Sequence, residues 1–306
     1  MIRIKPVLKT MILGLLFSGA GAIATPVKTV KKVETLKTES TPDLILEVDG
    51  KIFPQDSFPD ACKDLFHGAK CEAQSFGHCH IESKKDNDVI YSTSSFKGPD
   101  GEQQLEQSWE KDGKVQKCII ENKVLGQLME LNVKDGKTFY SYTDTKTHKV
   151  KTSDEDSASN LVVPSTIISY IRPRFAQIMK GEKVQVRIAV MDHLESFTFN
   201  IKKIRDEKAL DGDPVAVLEM VPASFIVKAV VSPMYFYIRT KTGEVFAFEG
   251  ESAVRRKVAD SWKKMQVFTQ YDYKVNADHS KNSKNECDPT EMLLGKKVPK
   301  CEINKE

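Results

Sequence analysis

Two Asp-Gly dipeptides, Asp112-Gly113 and Asp135-Gly136, stand between runs of β-favouring residues, and they narrow the fold more than any other feature of the chain. Asp-Gly supplies two consecutive residues that tolerate positive φ, which the tight turn between twisted antiparallel strands requires. Residues 115–121, 126–133 and 138–142 are therefore read as successive strands. Before them, 89–91 and 105–109 flank the turn Lys97-Gly98-Pro99-Asp100-Gly101. Further along, Val184, Val186, Ile188 and Val190 alternate with Gln185, Arg187 and Ala189, and Phe197, Phe199 and Ile201 alternate with Thr198, Asn200 and Lys202. A period of two buries one face of a strand and wets the other, as in an antiparallel sheet. Residues 215–221, 234–239, 245–248 and 265–273 complete the set, with Lys241-Thr242-Gly243-Glu244 as a further turn.

One helical interlude interrupts the strands. Ile167, Ile168, Ile171, Phe175, Ile178 and Met179 recur at spacings of three and four after Pro164-Ser165, the pattern of an amphipathic helix over 164–179. Pro173 removes one backbone donor, so a kink is expected near Ile171-Arg172, and Gly181 is the natural stop. The fold class is mainly β: a strongly curved antiparallel sheet or half-barrel with one kinked helix packed against it.

The amino terminus reads as a leader for export. Arg3, Lys5 and Lys9 precede an uncharged run containing Ile12, Leu13, Leu15, Leu16 and Phe17, and Ala22-Ile23-Ala24 offers small residues where a signal peptidase demands them. Cleavage before Thr25 is expected, because the run is short for a membrane span and holds Gly14, Gly19 and Gly21. The leader takes three of the 46 basic residues with it, leaving 43 against 43 acidic ones. A neutral chain without a basic stripe does not fit nucleic-acid binding. No later segment approaches a membrane-spanning length. The expected location is the periplasm or another extracytoplasmic space, in soluble form.

The domain reading follows: leader 1–24, flexible lead-in 25–43, cysteine-containing element 44–87, curved β domain 88–275, and a mobile Lys-, Asn- and Glu-rich tail 276–306. All six cysteines, Cys62, Cys71, Cys79, Cys118, Cys287 and Cys301, lie beyond the leader. In an oxidising compartment an even number favours disulfides, for which six cysteines allow 15 pairings. Short loop closure favours Cys62 with Cys71 and Cys287 with Cys301, and a strand carrying Cys118 beside Cys79 would complete the set.

Catalytic chemistry finds little support. There is no Gly-x-Ser-x-Gly and no Cys-x-x-Cys, and the histidines fall in unrelated contexts. His193, within Met191-Asp192-His193-Leu194-Glu195, reads as a turn residue with acidic neighbours. His67, Cys71, His78, Cys79 and His80 invite a zinc or copper reading, but their spacing matches no standard knuckle and oxidised cysteines are not donors. No metal and no cofactor are expected.

Aromatic residues crowd 225–248, and Tyr235-Phe236-Tyr237 puts rings on both faces of one strand, so one side needs cover from a helix, a partner or a ligand. Two stretches here, Pro222-Ala223-Ser224-Phe225-Ile226-Val227 leading into Ser232-Pro233-Met234-Tyr235-Phe236-Tyr237, and Thr242-Gly243-Glu244-Val245-Phe246-Ala247-Phe248-Glu249-Gly250-Glu251-Ser252, resemble an uncharacterised family of exported bacterial β-rich proteins. The segment 164–184 and the hairpin 91–109 fit that layout too. The resemblance runs from about Val89 to Tyr273 and transfers no catalytic residue. At fold level alone it is similar to lipoprotein-localisation carriers of the bacterial envelope.

The chain is therefore read as a non-enzymatic envelope protein handling an apolar molecule such as a lipid. Its expected site is a cavity between helix and sheet lined by Ile168, Ile171, Phe175, Phe225, Tyr235 and Tyr237. The alternative is a periplasmic interaction or structural module that meets an envelope protein through the cysteine-rich stretch.

Overall fold

The computed structural model describes residues 42–58, 73–209, 212–229 and 231–276. Its strands are β1 (Asp43–Pro54), β2 (Gly77–Asp86), β3 (Val89–Gly98), β4 (Gly101–Lys111), β5 (Lys114–Asn122), β6 (Gln127–Lys134), β7 (Lys137–Asp144), β8 (Val150–Asp156), β9 (Leu161–Val162), β10 (Val184–Val190), β11 (Glu195–Lys208), β12 (Pro214–Pro222), β13 (Met234–Arg239), β14 (Val245–Glu251), β15 (Arg256–Val258), β16 (Ser261–Lys263) and β17 (Gln266–Asn276). β15 and β16 make a small hairpin of their own. The other fifteen form one sheet in the order β8-β7-β6-β5-β4-β3-β2-β1-β17-β14-β13-β12-β11-β10-β9. Every pairing is antiparallel except β9 with β10.

The hairpin turns obey the local chemistry. Asp112 and Gly113 take φ of 52° and 67°, and Asp135 and Gly136 take 50° and 75°. Both positive values are what a two-residue turn between right-twisted strands needs.

The predicted helix comes in two pieces. α1 (Ile167–Ile171) and α2 (Phe175–Met179) are separated by a 3-10 turn over Arg172–Arg174, and the chain leaves through Gly181 at φ 86°. Pro173 lies inside that 3-10 turn, where its missing N–H and its ring interrupt the α-helical ladder.

The sheet curls until its two ends meet without a backbone ladder closing them. Glu155 on β8 accepts hydrogen bonds from Tyr140 on β7 at 2.6 Å, from Arg187 on β10 at 3.0 Å and from Ser196 on β11. Ser153 of β8 donates to the Leu194 carbonyl. Behind this latch, Val115, Cys118, Ile120, Met129, Leu131 and Tyr140 pack against Leu161, Val163, Ala189 and Met191. The result is a half-barrel with a side-chain seam.

α1 and α2 lie on its concave wall. Ile167, Ile171 and Ile178 share a buried cluster with Val186, Phe199, Ile201, Leu218, Phe236, Ile238 and Val245. A second cluster on the opposite face of β12–β14 and β17 joins Phe53, Val217, Tyr237, Phe246 and Phe268, with Phe58, Ala73 and Tyr235 against it. These central strands are thus covered on both sides, which explains their near-continuous apolar sequence.

Two expectations change. Residues 77–86, read as part of the cysteine-containing element 44–87 and set apart from the β domain 88–275, form β2 of the main sheet, and β1, from the same element, joins that sheet too. The pairing of Cys79 with Cys118 does not occur: both are free thiols. β2 and β5 are separated by β3 and β4, three steps of ~4.8 Å, and Cys118 lies in register with Ser83, four residues along β2 from Cys79. A disulfide needs α-carbons within about 7 Å. Cys79 packs instead over Gly50, where an added β-carbon would meet its sulfur at 2.4 Å. Burial pushes its thiol up to about 12, and that of Cys118 upward too. Cys62, Cys71, Cys287, Cys301, the leader and the tail lie outside the described residues.

Candidate functional site

The six residues expected to line one cavity are divided among three places. Ile171 is buried in the concave cluster, and Ile168 and Phe175 pack against it. Tyr235 and Tyr237 belong to the convex cluster, because residues 235, 237 and 239 of β13 face away from Met234, Phe236 and Ile238. Their cover comes from the chain itself: Phe58 stands edge-on to Phe53 with ring centres 6.0 Å apart and 4.6 Å from Phe268. Phe225 sits on α3 (Phe225–Lys228), a single helical turn between β12 and β13, and is 86% exposed, with Ile226 at 73%. Of the six, the structure brings together only Ile168, Ile171 and Phe175, on the helical segment against the concave wall.

That concave wall has two chemistries. From β9 through β14 it is apolar: Val162, Val186, Phe199, Ile201, Ala216, Leu218, Met220, Phe236, Ile238 and Val245 are all buried. Across β2, β3 and β4 it is polar. Ser83 pairs laterally with Ser92, Ser92 with Ser108, Ser94 with Glu106, and Ile90 with Glu110. Directly opposed residues of paired strands share a face. Ser83, Ser92, Ser94, Glu106, Ser108 and Glu110 are all buried, Glu106 and Ser94 to 1% exposure.

Sequence reasoning missed this row because β4 is turned inside out. An ordinary period-two reading of Leu105 to Trp109 would send both apolar residues inward and Glu106, Ser108 and Glu110 to water. In the structure Trp109 lies on the outer face, its ring 5.1 Å from that of Tyr91, with the Lys117 ammonium 5.0 Å above it. The alternation of Glu106, Ser108 and Glu110 was legible; which face it marked was not.

The row is only partly satisfied. Glu106 accepts the Ser165 N–H at 3.0 Å, and the Ser165 hydroxyl donates to Ser108 at 3.0 Å. Ser83 and Ser92 bond each other at 2.8 Å. Ser94 Oγ and Glu110 Oε1 have no partner. Burial raises the Glu106 carboxyl, opposed by the Ser165 hydrogen bonds, and pushes Glu110 up to about 7. Ser165 lies in the 3-10 turn Pro164–Thr166 that leads into α1, so the start of the helical segment covers the polar row.

Elsewhere the chemistry is ordinary. His78 and His80 point outward from β2, His78 within 2.9 Å of the Ser75 hydroxyl and His80 within 2.7 Å of Asp49. Among the described residues no group of three or more His, Cys, Asp or Glu side chains could hold a metal ion. His193 stands edge-on to Phe197 with ring centres 6.2 Å apart. An open surface cleft of about 500 Å³ lies between Phe53, Phe76, His78, Pro99 and Arg256, and Arg256 is bonded to both oxygens of Asp56 at 2.9 and 3.2 Å. No described helix is long and apolar enough to cross a membrane.

No family model and no curated protein matches the chain. Among solved structures it is similar to a β-barrel-like protein of a domain of unknown function, DUF1849, from Brucella abortus. That likeness has 12% identity and a TM-score of 0.47, over 76% of this chain and 98% of the other. It is also similar to a structure described as an outer membrane lipoprotein-sorting protein domain from Vibrio parahaemolyticus, at 11% identity and a TM-score of 0.26 over 79% and 91%. At these identities and TM-scores neither likeness transfers a residue role.

Proposed function

We propose that this is an exported, non-enzymatic protein that carries an apolar or amphipathic molecule, a lipid in class, in the concave interior of the half-barrel. The observation that supports it most is the helical segment 164–179. It lies on the apolar wall, it is jointed at Pro173, and it is held to the sheet by the two-residue strand β9 and by a few side-chain hydrogen bonds, Ser165 to Glu106 and Ser108 and Tyr170 to the Gln185 carbonyl. Swinging it away exposes the wall, and an acyl chain laid there restores the apolar contact. Exchange of one apolar surface for another costs little, since burial free energy follows area rather than identity. The exposed Phe225 and Ile226, with Lys228 beside them, suit contact with a lipid surface, and Val231 and Met234 just beyond pack against the concave cluster.

The test is binding of a fluorescent fatty acid to two variants chosen from opposite faces. Phe175→Asp, on the helix against the concave wall, should lower affinity at least tenfold, about 1.4 kcal/mol. Tyr235→Asp, on the convex face, should leave binding unchanged. Equal loss in both, or none in either with folding intact, would sink the reading. Native mass spectrometry of protein exported with its own leader should show a bound lipid mass and an amino terminus at Thr25.

A further inference from the structure

We infer that the buried polar row of β3 and β4 is a headgroup site for an amphipathic ligand with a cationic amine at its polar end, held closed by Ser165. This rests on the carrier reading and adds the ligand's polar chemistry. Four side chains make the site. Ser94 and Glu106 oppose each other across the ladder, and Ser108 and Glu110 follow Glu106 at steps of two on the same face. All four are at least nine-tenths buried, with Ser94 at 1% and Glu110 at 5% exposure.

Two observations point to a ligand rather than to a structural network. Ser94 Oγ and Glu110 Oε1 are buried without a hydrogen-bond partner, a state that folded proteins avoid because each such group forgoes its water without replacement. The strand that carries the two carboxyls also buries them while Leu105 and Trp109, on its other face, are only half-buried. Such conflicts between local pattern and fold concentrate at functional positions.

The present occupant indicates what the site accepts. Ser165 gives Glu106 an N–H and gives Ser108 an O–H, so the row faces donors. An ammonium group carries three donors and no acceptor, and a carboxylate accepts them with charge assistance. An ammonium can replace the Ser165 N–H at Glu106, beside Ser94 directly opposite it, with the Glu110 carboxyl further along the same face. The Ser165 turn runs directly into α1, so displacing it and lifting the helix from the apolar wall are one movement. An amine headgroup at Glu106 thereby places its chain along the wall that the helix vacates.

Three amphiphiles of one chain length decide the matter: dodecylamine, dodecanol and dodecanoate, titrated against the exported protein. The amine should bind at least tenfold tighter than the other two, the scale of one charge-assisted hydrogen bond in a buried site. Glu110→Gln and Ser94→Ala should each reduce that preference. Glu110→Gln is nearly isosteric, and Ser94→Ala removes an atom without a partner, so both variants should fold, which circular dichroism checks. Equal affinity for all three, or an amine preference untouched by both variants, would overturn the headgroup site and leave the carrier reading standing. Failure of all three to bind would remove both.

Discussion

The two walls of the concave interior are built from the same element, an antiparallel strand, yet they solve burial in opposite ways. Across β10–β14 the buried inward residues are apolar, and the stability of the wall follows from area removed from water. Across β2–β4 the same face carries the buried row Ser83, Ser92, Ser94, Glu106, Ser108 and Glu110, one serine hydroxyl and one carboxylate oxygen in it without a partner. The first wall holds the fold together, and the second costs stability that a scaffold alone has no reason to spend. Within one sheet, the apolar wall is where substitution should damage the fold. At Ser94 and Glu110 of the polar wall, substitution should leave it alone or improve it.

The largest expected effect is on the apolar wall. Leu218→Ala, at a fully buried position of β12, should lose about 2–5 kcal/mol in chemical denaturation, through lost transfer energy and the cavity left behind. A loss below 1 kcal/mol would mean the wall is loosely packed.

Glu110→Gln should move stability in the other direction, and in a pH-dependent way. Glu110 titrates at about 7 in the folded chain against an ordinary 4.5, so the folded state binds its proton more tightly than the unfolded one. The stability linked to that proton is fully present below pH 4.5 and is lost as pH rises through 7. At pH 8 the penalty reaches up to about 3 kcal/mol. The glutamine variant should therefore gain stability at pH 8, gain almost nothing at pH 4.5, and show a flatter profile between. A parallel downward offset at both pH values would show that Glu110 has a structural partner.

The seam between the walls sits between these extremes. Glu155→Gln removes the charge that gathers Tyr140, Arg187 and Ser196, and should cost about 1–2 kcal/mol. Faster hydrogen exchange in β8 and β10, with β12 and β13 unchanged, would locate the loss at the seam. Uniform acceleration would instead make the half-barrel a single cooperative unit.

Ser94→Ala should have the smallest effect, a gain of up to about 1 kcal/mol in melting experiments, since it removes a buried hydroxyl without a partner. Destabilisation beyond that would give the hydroxyl a role in holding β3.

How much was legible in the sequence varies strand by strand for physical reasons. The Asp-Gly turns announced β4–β7, and clean alternation announced β10 and β11, because local sterics and a one-sided core leave a period-two trace. β1 left a similar trace, Leu46, Val48 and Ile52 against Glu47, Asp49 and Lys51, just ahead of cysteine-rich residues that read as loop. β8 left none: it is an edge strand with mostly exposed residues, so water rather than a core chose its side chains. Of the candidate site, Ile168, Ile171 and Phe175 were legible from helical spacing. Glu106 and Glu110 were not, because acidic residues alternating with Leu105 and Trp109 look like a wet face.

By itself the sequence determined the repertoire: antiparallel strands, where they turn, one helix and its break at Pro173. These depend on dihedral preferences and periodicity within a few residues. The tertiary structure decided which face of each strand turned inward. It placed Tyr235 and Tyr237 on the convex side, Phe225 in solvent, and Glu106 and Glu110 inside. Alternation specifies only which side chains share a face. Which face is buried depends on the curl of fifteen strands and on what covers each side, contacts between residues distant in sequence that no local pattern encodes.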